Sequence, residues 1–160
     1  MKGAKGWIIA ALLMWLAGSC QQSIAYQLAF AGSPPDFILV AIVTFSLFSD
    51  RRNGAVMGFI GGIVQGAASG GHMATYAFTR TILGFMVGWL TSLEFEGNAA
   101  VAFIVNAAST CAAQVAFLLL SPKGAIVPFL LATIVSAVYN GVLAIPLYAL
   151  LKKVSGPPRH

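Results

Sequence analysis

The chain has 160 residues, 59% of them hydrophobic and only 8% charged, with a net charge of +5; its mean hydropathy is +0.88. A soluble domain carries about 25% charged residues, so this composition excludes one. It leaves room for five or six membrane spans of ~20 residues joined by short loops. The basic residues sit at the ends of apolar runs, a pattern of membrane orientation rather than of nucleic-acid binding.

Lys2 and Lys5 precede an apolar run that begins at Trp7. The segment LAGSC, ending at Cys20, approaches a lipoprotein cleavage site, but Ala17 stands where such a site has a bulky residue. Apolar character resumes beyond Cys20, so a first span over about 7–30 is expected rather than a cleaved signal. Its second half carries Gln21, Gln22, Ser23 and Gln27. That many amides cannot all face lipid, so one side faces protein or a watery hollow. Cys20 and Cys111 lie in apolar runs and read as small buried residues, not as a disulfide or a metal site.

AGSPP, residues 31–35, is a turn. Pro35 suits the first turn of the next helix and Asp36 lies near that helix's positive end. The second span, 36–49, is short. A re-entrant hairpin through SDRRNG would place Arg51 and Arg52 in hydrocarbon at roughly 2.5–3.5 kcal/mol each. The sequence therefore predicts that both flanking helices reach water there, with local bilayer thinning.

The third span, 54–70, reads GAVMGFIGGIVQGAASG, with glycine at 54, 58, 62, 66 and 70. Residues four apart share one side of a helix. Each glycine costs a helix ~1 kcal/mol relative to alanine, but a bilayer offers the backbone no alternative partner, so the helix holds. The bare row of Gly54, Gly58, Gly62, Gly66 and Gly70 lets a second helix come very close. A partner's helix is the expected occupant, with another helix of the same chain as the alternative.

The fourth span, 74–93, carries Gly84, Gly88 and Arg80. Arg80 is a charge about two turns inside the span, ~10 Å deep. An intramembrane charge is a functional hypothesis by default. Asp36, at the same end, is its natural ion-pair partner; snorkelling to the headgroups and contact with a ligand are the other readings. The fifth span, 98–120, contains Asn106, Ser109, Thr110 and Gln114, and the sixth, 125–151, contains Tyr139, Asn140 and Pro146, where a kink is expected. Gln21, Gln22, Gln27, Asn106, Gln114 and Asn140 either line a polar cavity or bond between helices.

Six spans with both termini cytoplasmic put Lys2, Lys5, Arg51, Arg52, Lys152, Lys153 and Arg159 inside and only Lys123 outside, which obeys the positive-inside rule. Ser69 and His72 invite a hydrolase reading, yet no base is held near a nucleophile by any spacing in the sequence. No metal-ligand cluster and no phosphate loop is present. No enzymatic activity, cofactor or metal is expected.

Three stretches carry a family resemblance: PDFILVAIVTFSLF from Pro35, RRNGAVMGFIGGIVQGAASGG from Arg51, and YNGVLAIPLYALLKK from Tyr139. In order, spacing and overall length the chain resembles the rod shape-determining membrane protein MreD family. The resemblance implies a non-enzymatic scaffold subunit of the bacterial cell-wall elongation machinery, multi-pass in the cytoplasmic (inner) membrane. The implied partners are the bitopic protein MreC, the glycosyltransferase RodA with its class-B penicillin-binding transpeptidase, and indirectly the actin-like MreB. The implied fold is a six-helix bundle similar to the substrate-binding subunits (S-components) of energy-coupling-factor (ECF) transporters. Pro35, Asp36 and the segment from Gly58 to Gly70 correspond to the family's structural signature, and Asn140, Pro146 and Tyr148 to its C-terminal motif. A small-molecule binding subunit of a transporter, for a vitamin-like ligand, is the alternative reading.

Overall fold

A computed structural model describes residues 4–30, 32–91, 97–120 and 126–156. These form six helices: α1 (Ala4–Ser23), α2 (Phe37–Ser46), α3 (Arg51–Ala68), α4 (Met73–Leu90), α5 (Ala99–Leu120) and α6 (Ile126–Ser155). No strand occurs among the described residues; an isolated bridge between Phe30 and Ser33 closes the turn before α2.

The centre of the bundle is α2, not the glycine helix. Nine of its ten residues are buried, and it contacts all five other helices. One side, Leu39, Val40 and Val43, packs with Leu83 and Val87 of α4 and with Ala144 and Tyr148 of α6. The other, Ile38, Ala41, Ile42 and Phe45, packs with Ala10, Met14 and Ala17 of α1 and with Met57 of α3. A ten-residue helix is ~15 Å long, half of a ~30 Å hydrocarbon core. Its neighbours surround it, so other helices rather than lipid bury it. By length and composition, α5 and the part of α6 from Val127 are apolar enough to cross a membrane.

The expected first span is shortened. Helix α1 stops at Ser23, and residues 24–28 form a turn, where Ile24 and Ala25 N–H both donate to the Cys20 carbonyl. Gly32, at φ +77°, then reverses the chain. Helix α6 remains helical through Pro146. Cys20 and Cys111 are free thiols, half-buried rather than buried.

The glycine row is filled from within the chain, which corrects the expectation that it receives a partner's helix. A Cβ added at Gly54 or Gly58 would collide with the carbonyls of Gly84 and Arg80. At Gly62 it would lie 2.5 Å from Ala77 Cα, and at Gly66 2.5 Å from Met73 Cα. Gly88 returns the contact, with Arg51 Cα 2.8 Å from its absent Cβ. The two backbones thus touch along the whole antiparallel α3–α4 pair. Gly70 does not belong to the row: it has φ +68° and open space around its Cβ position, so it serves the turn, as does His72 at φ 56°.

Consecutive helices alternate in direction. Lys5 Nζ donates to the Val154 carbonyl at 3.5 Å, and Phe48 and Tyr148 rings lie 5.1 Å apart. Thr91 Oγ1 donates to the Ser49 carbonyl at 3.1 Å. Lys5, Arg51, Arg52, Lys152 and Lys153 therefore gather at one end. The opposite end holds Asp36, Arg80 and His72, with the His72 and Phe117 rings 5.5 Å apart.

Candidate functional site

Asp36 is the residue on which the polar end of the bundle converges. It caps α2: Oδ1 accepts from Leu39 N–H at 2.8 Å, satisfying one of the orphan donors of a helix start. Its Oδ2 accepts from Arg80 Nη2 of α4 at 2.5 Å and from Gln65 Nε2 of α3 at 2.9 Å. Gln65 closes the triangle, its Oε1 accepting from Arg80 Nε at 2.9 Å. The Arg80 side chain is 6% exposed and that of Asp36 19%. A cation this deep is tolerated because a carboxylate and an amide both face it. The Tyr76 ring lies one turn earlier on α4, 5.7 Å from the guanidinium carbon, a further favourable contact.

Two other helices hold the start of α2. Asn140 Oδ1 of α6 accepts from Asp36 N–H at 3.0 Å, and Gln21 Oε1 of α1 accepts from Phe37 N–H at 2.9 Å. Gln21 Nε2 donates to the Pro35 carbonyl at 3.3 Å. From Asn140 a polar chain runs into the core: its Nδ2 donates to Thr110 Oγ1 at 3.1 Å, and Thr110 donates to the Asn106 carbonyl at 2.8 Å. Asn106 Nδ2 in turn reaches Thr44 Oγ1 at 3.3 Å and the Ala102 carbonyl at 2.9 Å.

A polar cavity of about 220 Å³ lies against this network. Of the residues expected to line a hollow, Gln21, Gln114 and Asn140 do so, together with Asp36 and Arg80. Gln22 and Gln27 do not: both are exposed, and Gln27 Nε2 bonds the Ser23 carbonyl at 3.4 Å. Asn106 is fully buried deeper in the core, outside the cavity lining. Sequence reasoning missed Gln65, Tyr76 and Ser136. Tyr76 had a readable signal, its position one turn before Arg80. Gln65 had one too: an amide beside the glycine row, on a helix face that close packing must bury.

Among the described residues no group of three His, Cys, Asp or Glu side chains is placed to hold a metal. Large apolar side chains such as Leu12, Trp15, Phe59, Phe78, Phe85 and Leu131 are exposed on the outside of the bundle, while a carboxylate and a guanidinium meet inside it. An apolar exterior around an ion-paired interior defines an all-helical protein of the membrane-embedded class. The family model for the rod shape-determining protein MreD matches residues 1–154. The chain belongs to the MreD family, a family of membrane proteins with a role in rod shape determination. No curated protein and no solved structure matches it.

Proposed function

We infer that the chain is a non-enzymatic scaffold subunit of the bacterial cell-wall elongation machinery, a single integral domain in the cytoplasmic membrane. All six segments cross the bilayer, α2 together with its flanking turns, and both termini are cytoplasmic. The family resemblance supports an arrangement akin to the substrate-binding subunits of energy-coupling-factor transporters. The chain binds the membrane segment of MreC and so helps position RodA, its class-B penicillin-binding transpeptidase and, indirectly, MreB. Because α4 fills the glycine row, MreC packs on the outer surface of the bundle, against helix faces that otherwise meet lipid.

The observation that carries this reading is the polarity of the bundle. Lys5, Arg51, Arg52, Lys152 and Lys153 gather at one end of a family member whose helices alternate in direction, the distribution expected when that end is cytoplasmic. Reporter fusions at residue 160 and in the 69–72 turn test the topology. A cytoplasmic signal from the first and an external signal from the second are expected. Affinity-tagged protein is expected to retain MreC after detergent extraction. An external C-terminus, or loss of MreC from protein that remains folded, overturns the reading.

A further inference from the structure

We propose that the cavity beside Arg80 is a binding site for a small, uncharged group bearing hydroxyl or amide functions, a property independent of the partner reading above. Its size sets the first limit. An apolar cavity of about 150 Å³ accepts benzene. By proportion, the space of about 220 Å³ here accommodates about nine non-hydrogen atoms.

Its lining sets the chemistry. Ser136 of α6 is 7% exposed and Gln114 of α5 is half-buried; both line the cavity. Among the described residues neither side chain has a hydrogen-bond partner. Arg80 commits Nε and Nη2 to Gln65 and Asp36, which leaves Nη1 as a further donor on a residue that lines the same space. These groups offer donors and acceptors from three helices. These groups are open to the cavity, so water is their default partner there. A solute that matches these donors and acceptors replaces that water without losing its hydrogen bonds.

Charge and preorganisation narrow the class further. Asp36 and Arg80 neutralise one another across a 2.5 Å contact, so the lining carries no net charge from this pair. An anion would have to share the guanidinium with Asp36, whose carboxylate repels it, and a cation would compete with Arg80 for the carboxylate. A neutral solute competes with neither. The walls are already fixed by Gln21, Gln65 and Asn140 through their bonds to the start of α2 and to Arg80, so occupancy requires little ordering of the protein. The Tyr76 and Phe117 rings, 5.2 Å apart and tilted 43° to each other, add apolar surface to the lining. Tyr26 and Ser69, the exposed lining residues, mark the mouth at the end opposite the lysines.

The test uses the full chain, purified in a detergent without a sugar headgroup, and follows thermal unfolding. The soluble probes are nicotinamide, a neutral amide of the right size, and nicotinate, its anionic isostere. A third probe, monooleoylglycerol, presents a neutral diol on a lipid chain. At ten times its Kd, nicotinamide is expected to raise Tm by roughly 3–5 °C, with nicotinate at least tenfold weaker. Gln114→Leu and, independently, Ser136→Ala are expected to weaken the neutral probe at least tenfold while still unfolding cooperatively. A response to monooleoylglycerol alone, lost in the same variants, assigns the site to a lipid headgroup; a response to nicotinamide assigns it to a free solute. Failure of both neutral probes, equal binding of nicotinate, or unchanged binding in both variants overturns the proposal.

Discussion

The ion pair at the centre of the site makes a quantitative prediction. Arg80→Gln removes the guanidinium but leaves Asp36 two donors, Leu39 N–H and Gln65 Nε2. The carboxylate therefore stays partly satisfied, and the expected cost is about 2–3 kcal/mol, the low end for breaking a buried pair. Asp36→Asn is more damaging. Its Oδ1 can still cap α2, but the Nδ2 group then faces the Arg80 and Gln65 donors. A cation only 6% exposed keeps Gln65 Oε1 as its sole acceptor of those two, and about 3–5 kcal/mol is expected. In the double variant two neutral amides face each other and no buried charge is left unpaired. Its cost is expected to fall short of the sum of the single costs by about 2 kcal/mol. The measurement is reversible unfolding in detergent followed by tryptophan fluorescence. If the two single effects add to within about 0.5 kcal/mol, the two side chains act independently, Arg80 reaches the headgroups instead, and the reasoning fails.

Three further outcomes test the packing. Gly58→Ala puts a methyl group into the Arg80 carbonyl, an obstacle of backbone rather than flexible side chain, and is expected to cost about 3 kcal/mol in denaturant unfolding. Gly70→Asn is expected to be nearly neutral, because its neighbourhood is open and asparagine accepts the left-handed backbone, whereas Gly70→Val is expected to lose about 1–2 kcal/mol by thermal melting. Asn140→Leu strands the Asp36 N–H and is expected to cost about 1–3 kcal/mol, while Thr44→Val, which leaves Asn106 Nδ2 its bond to Ala102, is expected to cost under about 1 kcal/mol in the same assay.

Much of this architecture is legible in the chain because each helix announces itself by apolar length and each turn by proline, glycine or charge. The Asp36–Arg80 pair is legible for a simple reason: a lone deep cation requires a counter-charge, and one acid lies at the matching depth. The place of α2 is harder to read. Its run FILVAIVTFS has only two small hydroxyls, Thr44 and Ser46, and no charged or amide group, and from sequence alone such a helix looks the same whether lipid or five other helices surround it. The end of α1 is misread for the opposite reason. Apolar residues continue to Phe30, but Gln21 is drawn to the start of α2 and the backbone turns there. Ser136 carries no signal at all, since a serine in an apolar helix commonly bonds its own backbone, as Thr133 does with the Phe129 carbonyl.

The glycine row was legible as a close-approach surface but not in its occupant, and the occupant explains why the row and the charge belong together. The Arg80 backbone rests where Gly58 has no side chain, and its guanidinium reaches Gln65 on that same helix and Asp36 on α2 beyond it. Any side chain at position 58 would push α4 outward and carry the guanidinium away from Gln65 and Asp36. The ladder is then a spacer set to zero, holding Arg80 within reach of α2. On this account Gly58→Ala should weaken the ion pair as well as the packing. In the Arg80→Gln background it should therefore cost less than in the wild-type chain, by up to the ~2 kcal/mol that couples Arg80 to Asp36. An unchanged cost in that background would separate the glycine row from the site it adjoins.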